Sequence, residues 1–150
     1  AIHVFGFRDT AGRALKLAEE TGVAFQLTNI LRDIREDAGR DRIYLPQADL
    51  ARFGVSASDL LAGKDSPAFR ELVRFEVERA KQYYAAAGEL TPLIEGAGRP
   101  ALEALVKIYR RLLEKIERRK YDVLSERVSL SKAEKLRLAG GAALKALIKR

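Results

Sequence analysis

Two amides and two carboxylates recur at helical spacing in the segment QLTNILRDIRED, residues 26–37. Gln26, Asn29, Asp33 and Asp37 are three, four and four residues apart, so on an α-helix they share one narrow face. Aspartates one turn apart repel each other, and a divalent cation bound between them would turn that electrostatic repulsion into attraction. Mg²⁺ prefers such oxygens and completes its shell with waters and substrate phosphates. The pattern therefore indicates a half-site for Mg²⁺ and a diphosphate.

Arginines accompany this polar stripe, and a guanidinium group binds phosphate oxygens well. The same pattern also occurs in ordinary charged helices, where the carboxylates and arginines pair on a solvated face. Spacing alone leaves both interpretations open, although Gln26 and Asn29 favour a ligand site because buried amides need partners. The arginines in question are Arg32, Arg35, Arg40 and Arg42.

The elements that must position these side chains are predicted to be helices, because no alternating run is long enough for a strand. The fold class is therefore all-α. Proline, glycine and capping residues set the expected bounds. The predicted helices run from an Asp9 cap to about Ala38, from Pro46 to Gly54, from SASDLL onward, from Ser66 and Pro67 to about Ile94, from Pro100 to about Lys120, and from a Ser131/Glu134 capping box onward.

Length and composition indicate one domain, since 150 residues with 47% apolar side chains suffice for one core. No internal repeat or linker interrupts it, so residues 1–150 form a single all-α segment. The chain contains no methionine and opens with apolar residues, AIHVFGF. These two details predict that it is part of a longer protein.

Several classes of chemistry are excluded. There is no cysteine, so disulfides, thiolate metal sites and cysteine nucleophiles are absent. His3 is the single histidine, which rules out histidine-rich zinc sites and His-dependent triads. No apolar run approaches the ~20 residues of a bilayer span, and no secretory leader is visible. We expect a cytoplasmic location, in solution or at a membrane surface.

The formal charge of +7 favours an anionic partner: nucleic acid, anionic lipid or a phosphorylated small molecule. The terminal segment SKAEKLRLAGGAALKALIKR has amphipathic spacing of lysines and leucines. A basic helical module for nucleic acid or anionic membrane is therefore one hypothesis. A core helix with a solvated basic face is the simpler interpretation, and no nucleic-acid motif accompanies the charge.

Five separated segments carry a family resemblance. GVAFQLTNILRDIREDAGRDRIYLP, residues 22–46, resembles the second aspartate-rich region of the squalene and phytoene synthases, the head-to-head prenyl diphosphate synthases. The other motifs follow in the family's order, so the resemblance covers essentially the whole chain. These further motifs are LARFGVSASDLL, FRELVRFEVERAKQYY, RPALEALVKIYRRLLEKIERRKYDV and SERVSLSKAEKL.

The resemblance implies the all-α isoprenoid (terpenoid) synthase fold, of which this chain would be the carboxyl-terminal half. The other aspartate-rich motif would belong to an amino-terminal half that this sequence lacks. The implied reaction joins two prenyl diphosphates with Mg²⁺, or Mn²⁺ in its place. We favour two farnesyl units, giving presqualene diphosphate or squalene, with NADPH only if the enzyme proceeds to squalene. The alternatives are phytoene synthesis from two geranylgeranyl units and an inactive fragment.

The resemblance also implies residue roles. Asp33 and Asp37 would hold metal, Arg32 and Arg127 would assist departure of the diphosphate, and Tyr109 would stabilise a cation or accept a proton. Tyr109 is otherwise an ordinary core aromatic, and Arg127 an ordinary surface cation. Asp41 stands where the family usually has glycine. Expected partners are prenyl diphosphates and a peripheral membrane surface, with no nucleic acid. The implied metal ligands are Asn29, Asp33 and Asp37, and the implied substrate contacts are Gln26, Asn29, Arg32, Tyr109 and Arg127.

Overall fold

The computed structural model describes residues 12–96 and 98–148. These residues form α-helices, one 3₁₀ turn and short connections, without a β-strand. The all-α prediction is confirmed within this part of the chain. The elements are α1 Arg13–Ala38, α2 Gln47–Arg52, α3 Ala57–Leu61, α4 Pro67–Leu90, the 3₁₀ turn Thr91–Leu93, α5 Gly98–Arg118 and α6 Lys132–Ile148.

Side-chain caps start two of the helices as the sequence predicts. The Ser66 hydroxyl accepts the backbone N–H of Phe69 at 3.1 Å, directly before the first helical residue of α4, Pro67. At α6 the Glu134 N–H donates to the Ser131 hydroxyl at 3.1 Å, and the Ser131 N–H donates to Glu134 Oε2 at 2.9 Å. This reciprocal pair is a capping box, and it satisfies donors that the helix itself cannot.

Several boundaries differ from the prediction, among them the start of α2, where Pro46 is the N-cap and not the first helical residue. Helix α1 begins at Arg13, after Gly12, whose φ of +74° cannot continue a right-handed helix. The proposed cap, Asp9, lies outside the described residues. Helix α4 ends at Leu90 and passes into the 3₁₀ turn. Helix α5 begins before Pro100, which is tolerated because first-turn N–H groups have no partner within the helix.

The chain divides into two compact units, each built from separated segments. Unit 1 draws on Ala1–Phe25, Ala80–Arg111 and Leu130–Arg150, and unit 2 on Gln26–Arg79 and Leu112–Ser129. Helix α1 therefore contributes its first half to one unit and its second half to the other. That residues 1–150 form a single domain stays a prediction.

Each unit has its own buried apolar side chains. In unit 1 one cluster combines residues from α1, α4 and the connection that follows the 3₁₀ turn: Ala14, Leu17, Ala86, Leu90 and Ile94. In unit 2 the large side chains that are almost fully buried come from α1, α4, α5 and the segment after α5. They are Leu31, Phe69, Leu72, Val73, Val77, Leu113, Ile116, Val123 and Val128.

Unit 2 also buries a carboxyl group. Glu76 is fully buried, and Arg79 Nη1 lies 3.0 Å from its Oε1 and 2.7 Å from Asp49 Oδ2. The guanidinium carbons of Arg52 and Arg79 each lie 4.6 Å from the centre of the Phe75 ring. Burial raises the pKa of Glu76 to about 7, the Arg79 charge opposes that rise, and the neighbouring Asp49 carboxylate adds to it.

This burial predicts how stability depends on pH. Between the ordinary Glu pKa of 4.5 and about 7, Glu76 holds its proton in the folded chain and loses it in the unfolded chain. Its contribution to the unfolding free energy is therefore complete below pH 4.5 and is lost as pH rises through 7. We expect Glu76→Gln, which mimics the protonated form, to flatten this decline and to gain on the order of 1 to 3 kcal/mol at pH 8 relative to wild type.

Urea unfolding of both proteins at pH 5 and pH 8 measures the effect. His3 is present in both chains, so its titration cancels in the comparison. Equal slopes of stability against pH in the two proteins would contradict a Glu76 that is protonated in the fold.

Candidate functional site

Helix α1 places the polar stripe at the border of the unit 2 core. Asn29, Asp33 and Asp37 are each half-buried, while Leu31 on another face of the helix is fully buried. Gln26 is exposed, so the expectation that both amides border the core is correct for Asn29 and wrong for Gln26. The helical spacing thus brings one amide and two carboxylates together at half-depth.

Asn29 carries an unusual oxygen. Its Oδ1 is the only buried side-chain nitrogen or oxygen in the described residues that has no hydrogen-bond partner. Leaving a buried acceptor unsatisfied costs about 1–3 kcal/mol, and native structures contain few such atoms. An electropositive ligand beside Oδ1 would supply the missing interaction.

Asp33 lies at the centre of a charged group. Arg32 Nε donates to its Oδ1 at 2.9 Å, and Arg127 donates to the same oxygen through Nε at 3.0 Å and Nη2 at 2.8 Å. Arg127 Nε also lies 3.1 Å from Glu36 Oε1. Burial alone would raise the pKa of Asp33, but the hydrogen bonds and charges of the two arginines outweigh it and hold the pKa below its ordinary value. Asp33 is therefore ionised at neutral pH.

Asp37 borders a small pocket within unit 2. The pocket volume is about 10 Å³, roughly the room needed for one water molecule. Asp37 and Arg42 supply its charged groups, and the other lining side chains are Ile30, Ile34, Ile43, Tyr44, Leu45 and Leu60. An apolar surround of this kind strengthens the interaction between a carboxylate and any cation beside it.

A helix-ending turn follows Asp37 directly. The Arg42 N–H donates to the Asp37 carbonyl at 2.9 Å, and the Asp41 N–H donates to the Ala38 carbonyl at 3.1 Å. This is the Schellman pattern, in which the residue at Asp41 takes a left-handed conformation. Its φ is +54°, the region that favours glycine. Aspartate tolerates this region better than most side chains, so the turn can form at Asp41.

A second turn, residues 119–127 after α5, carries Arg127. Lys120 and Tyr121 have φ of +53° and +63°, and Asp122 Oδ1 accepts the N–H groups of Leu124 at 3.2 Å and Ser125 at 2.9 Å. We call this segment the Arg127 turn. The sequence prediction included Arg127 and missed the turn, although an aspartate two and three residues before its backbone partners is a typical Asx-turn signal.

Two further contacts were not anticipated from the sequence. Arg35, expected to neutralise phosphate, donates through Nη1 to the Ser125 carbonyl of the Arg127 turn. Glu36, for which no role at a ligand site was expected, shares Arg127 with Asp33. Both residues project from α1 toward that turn, so the helix that supplies the stripe also holds the segment that carries Arg127.

Tyr109 belongs to unit 1 and is half-buried. Its ring centre lies 4.8 Å from that of Phe25, with the planes tilted by 49°, and Phe25 in turn makes an edge-on contact with Tyr84 at 5.8 Å. These contacts fit aromatic packing within unit 1. The role of Tyr109 toward a substrate stays a prediction.

The features behind the basic-module hypothesis are only partly visible. Leu136 on α6 is 74% exposed, among lysines and an arginine at Lys132, Lys135 and Arg137 that are also exposed. No helix in the described ranges is long and apolar enough to cross a membrane. The same ranges contain no group of three or more His, Cys, Asp or Glu side chains arranged to hold a metal on its own.

Comparison with known proteins decides the family. The family model described as squalene/phytoene synthase matches residues 1–134, which is most of the chain. The chain belongs to the squalene/phytoene synthase family. The resemblance seen in the aspartate-rich segment is thereby confirmed.

Relatives of this squalene/phytoene synthase chain include phytoene synthases. It is 46% identical to the phytoene synthase of Arthrospira platensis over 106 residues, covering 71% of this chain and 34% of that protein. It is 43% identical to the 15-cis-phytoene synthase of Synechocystis over 116 residues, covering 77% of this chain and 34% of that protein. The chain thus spans about a third of the length of these relatives.

Solved structures of the family share the fold. A dehydrosqualene synthase crystallised with a ligand superposes with a TM-score of 0.74 at 32% identity, covering 89% of this chain and 46% of that one. The squalene synthase HpnC from Alicyclobacillus acidocaldarius gives a TM-score of 0.69 at 28% identity, covering 75% of this chain and 43% of that one. The chain has the isoprenoid synthase fold, as predicted.

The left-handed turn at Asp41 yields a stability prediction. Glycine adopts its φ of +54° without steric cost, so Asp41→Gly should raise the unfolding free energy by about 0.5–1 kcal/mol, after allowing for the greater freedom of glycine in the unfolded chain. Alanine tolerates the left-handed region less well than aspartate does, so Asp41→Ala should lower the unfolding free energy. Thermal unfolding of the three proteins measures both effects, and a glycine variant that loses stability like the alanine variant would contradict the assignment.

Proposed function

We propose that this chain forms one wall of the Mg²⁺–diphosphate site of a head-to-head prenyltransferase. The observation that carries the proposal is the unpartnered, buried Oδ1 of Asn29, on the same helix face as Asp33 and Asp37. Family membership supports the reaction class. Because the chain spans about a third of its relatives, the activity belongs to a longer protein or to an assembly.

The donor set fits a hard divalent cation. Asn29 offers an amide oxygen without a hydrogen bond, and Asp33 and Asp37 offer carboxylates, the ligand types that Mg²⁺ and Mn²⁺ accept. These three residues would hold the metal. When bound, the metal would neutralise charge on the diphosphate that leaves an allylic carbon. Two carboxylates and one amide leave room for substrate oxygens and for ligands from a second wall.

Arg32 and Arg127 are the groups of this chain that fit the diphosphate itself. Both guanidinium groups donate to Asp33, which directs them at the place where a metal ligand is expected. If Asp33 turns an oxygen to a cation, the donors it gives up become available for phosphate oxygens. Gln26, which is exposed, can donate its amide to the same anion.

Tyr109 fits the hydrocarbon part of the reaction. Its ring packs against Phe25 in unit 1, and aromatic faces stabilise cations that develop in an apolar space. A site without water protects such an intermediate from capture. We therefore assign Tyr109 to stabilising the carbocation rather than to assisting departure of the diphosphate.

The proposal allows two lengths of prenyl substrate. We favour two farnesyl units, as expected from the sequence, and the structural neighbours named as dehydrosqualene and squalene synthases support that choice. The relatives named as phytoene synthases support two geranylgeranyl units equally well. NADPH enters only if the product is squalene. Incubation of the full-length protein with each diphosphate, followed by product analysis, decides between them.

The metal-ligand roles are tested by Asp33→Asn and Asp37→Asn. Each should weaken Mg²⁺-dependent binding of inorganic diphosphate, and turnover by the full-length enzyme, by roughly 10²-fold, because a neutral amide is a poorer ligand than a carboxylate. Helical circular dichroism should change little. Calorimetry and product formation provide the measurements.

Asp59→Asn is the matched control, since Asp59 is another unit 2 aspartate whose carboxylate pairs with a cation, that of Lys64. It should leave binding and turnover intact. Full turnover by both stripe variants would refute the metal-ligand roles. A basic nucleic-acid module would instead show binding that falls steeply with salt and ignores these substitutions.

The unpartnered oxygen of Asn29 predicts a trade-off. Asn29→Leu removes a buried acceptor and keeps a similar shape, so the unfolding free energy should rise by about 1 kcal/mol, while Mg²⁺-dependent diphosphate binding should fall. Urea unfolding and calorimetry on the same preparation measure both quantities. A variant that loses stability and keeps its binding would show that Asn29 serves the fold and not the metal.

A further inference from the structure

We propose that Asp122 is a positioning residue for Arg127: its carboxylate folds the turn that brings the Arg127 guanidinium to Asp33. The inference rests on the proposed function, because Arg127 matters only if its guanidinium serves the diphosphate site. Asp122 acts on that site through the backbone of the Arg127 turn.

The geometry of the turn supports this role. Asp122 Oδ1 accepts two successive turn donors, the N–H of Leu124 at 3.2 Å and the N–H of Ser125 at 2.9 Å. The two residues before it, Lys120 and Tyr121, are in the left-handed region, where neither side chain is favoured. Such a backbone persists only when other contacts impose it, and the Asp122 carboxylate provides two of them.

Other contacts hold the turn in place. The Arg35 guanidinium donates to the Ser125 carbonyl, and Arg70 Nη1 donates to the Lys120 carbonyl at 3.4 Å. Val123 and Val128 are 0% and 1% exposed, so the chain is anchored in the core on both sides of Arg127. The position of the Arg127 backbone is therefore fixed by the path from Asp122 to Val128.

Arg127 has few other constraints. Its side chain is 45% exposed, and its contacts are to the carboxylates of Asp33 and Glu36 on α1. An exposed arginine reaches a given carboxylate reliably only when its backbone is held close to it, because ordering the long side chain costs conformational entropy. Loosening the turn at Asp122 should thus misplace this guanidinium before it affects the buried core.

A double-mutant cycle separates positioning from general stability. Binding of inorganic diphosphate in excess Mg²⁺ is measured by calorimetry for Asp122→Ala, Arg127→Ala and the double variant. We expect Arg127→Ala to weaken binding by about tenfold, as for loss of a charge-assisted hydrogen bond, and Asp122→Ala by about fivefold. In the Arg127→Ala background, Asp122→Ala should have no further effect, because its action passes through the missing side chain.

Two variants serve as comparisons. Asp122→Asn keeps an oxygen acceptor in the same place and should restore binding close to that of wild type. Ser66→Ala removes another unit 2 side chain that caps a backbone N–H, that of Phe69, and should lower stability without changing binding. If Asp122→Ala does not fold, Asp122→Ser supplies a weaker acceptor and should give an intermediate loss.

A second measurement does not depend on diphosphate. Hydrogen exchange of the Arg127 Nε–H, followed by NMR, reports its bond to Asp33 directly. It should accelerate several-fold in Asp122→Ala and stay unchanged in Asp122→Asn and Ser66→Ala. If the wild type fails to bind Mg²⁺–diphosphate, the proposed function fails and the exchange rates still decide the positioning role. The inference would be overturned if Asp122→Ala weakened binding equally in the wild type and in the Arg127→Ala variant. It would also be overturned if Asp122→Ala left the exchange rate of the Arg127 Nε–H unchanged.

Discussion

Pairing of the ionised Asp33 carboxylate is the constraint that links the candidate site to the path of the chain after α5. A half-buried charge must be paired, and here the pairing is supplied by the adjacent Arg32 and by Arg127 from a distant segment. To deliver Arg127, the chain after α5 must turn sharply and return to α1. The left-handed residues, the Asx turn and the anchoring valines all serve that return path. The candidate site and the local fold therefore share one electrostatic requirement.

Helices and their caps could be predicted because their signals are local. Ser66 and the Ser131/Glu134 pair act within three residues of themselves, so their sequence patterns determine their geometry. The polar stripe was predictable for the same reason, since helical spacing alone places Asn29, Asp33 and Asp37 on one face. Boundaries such as the end of α4 at Leu90 were missed, because a 3₁₀ turn can extend the same pattern without continuing the helix.

Contacts between distant segments were not predictable from periodicity. The sequence around Glu76 carries no signal that this side chain is buried against Arg79 and Asp49. The exposure of Gln26 likewise depends on residues outside the polar stripe. Arg35 illustrates the same limit: its type suits phosphate, yet its guanidinium holds a backbone carbonyl. Chemical type indicated which residues could serve the site, and tertiary contacts decided which of them are already committed elsewhere.

The contact between Asp33 and Arg127 joins positions 94 residues apart in the chain. A contact of that sequence separation can form only after the intervening helices of unit 2 have come together, because closing so long a loop has an entropic cost that other contacts must already have met. In kinetic terms, the site should be among the last features of unit 2 to assemble and the first to open. A folding intermediate of this chain would then hold its helices before Arg127 reaches Asp33, with the candidate site incomplete.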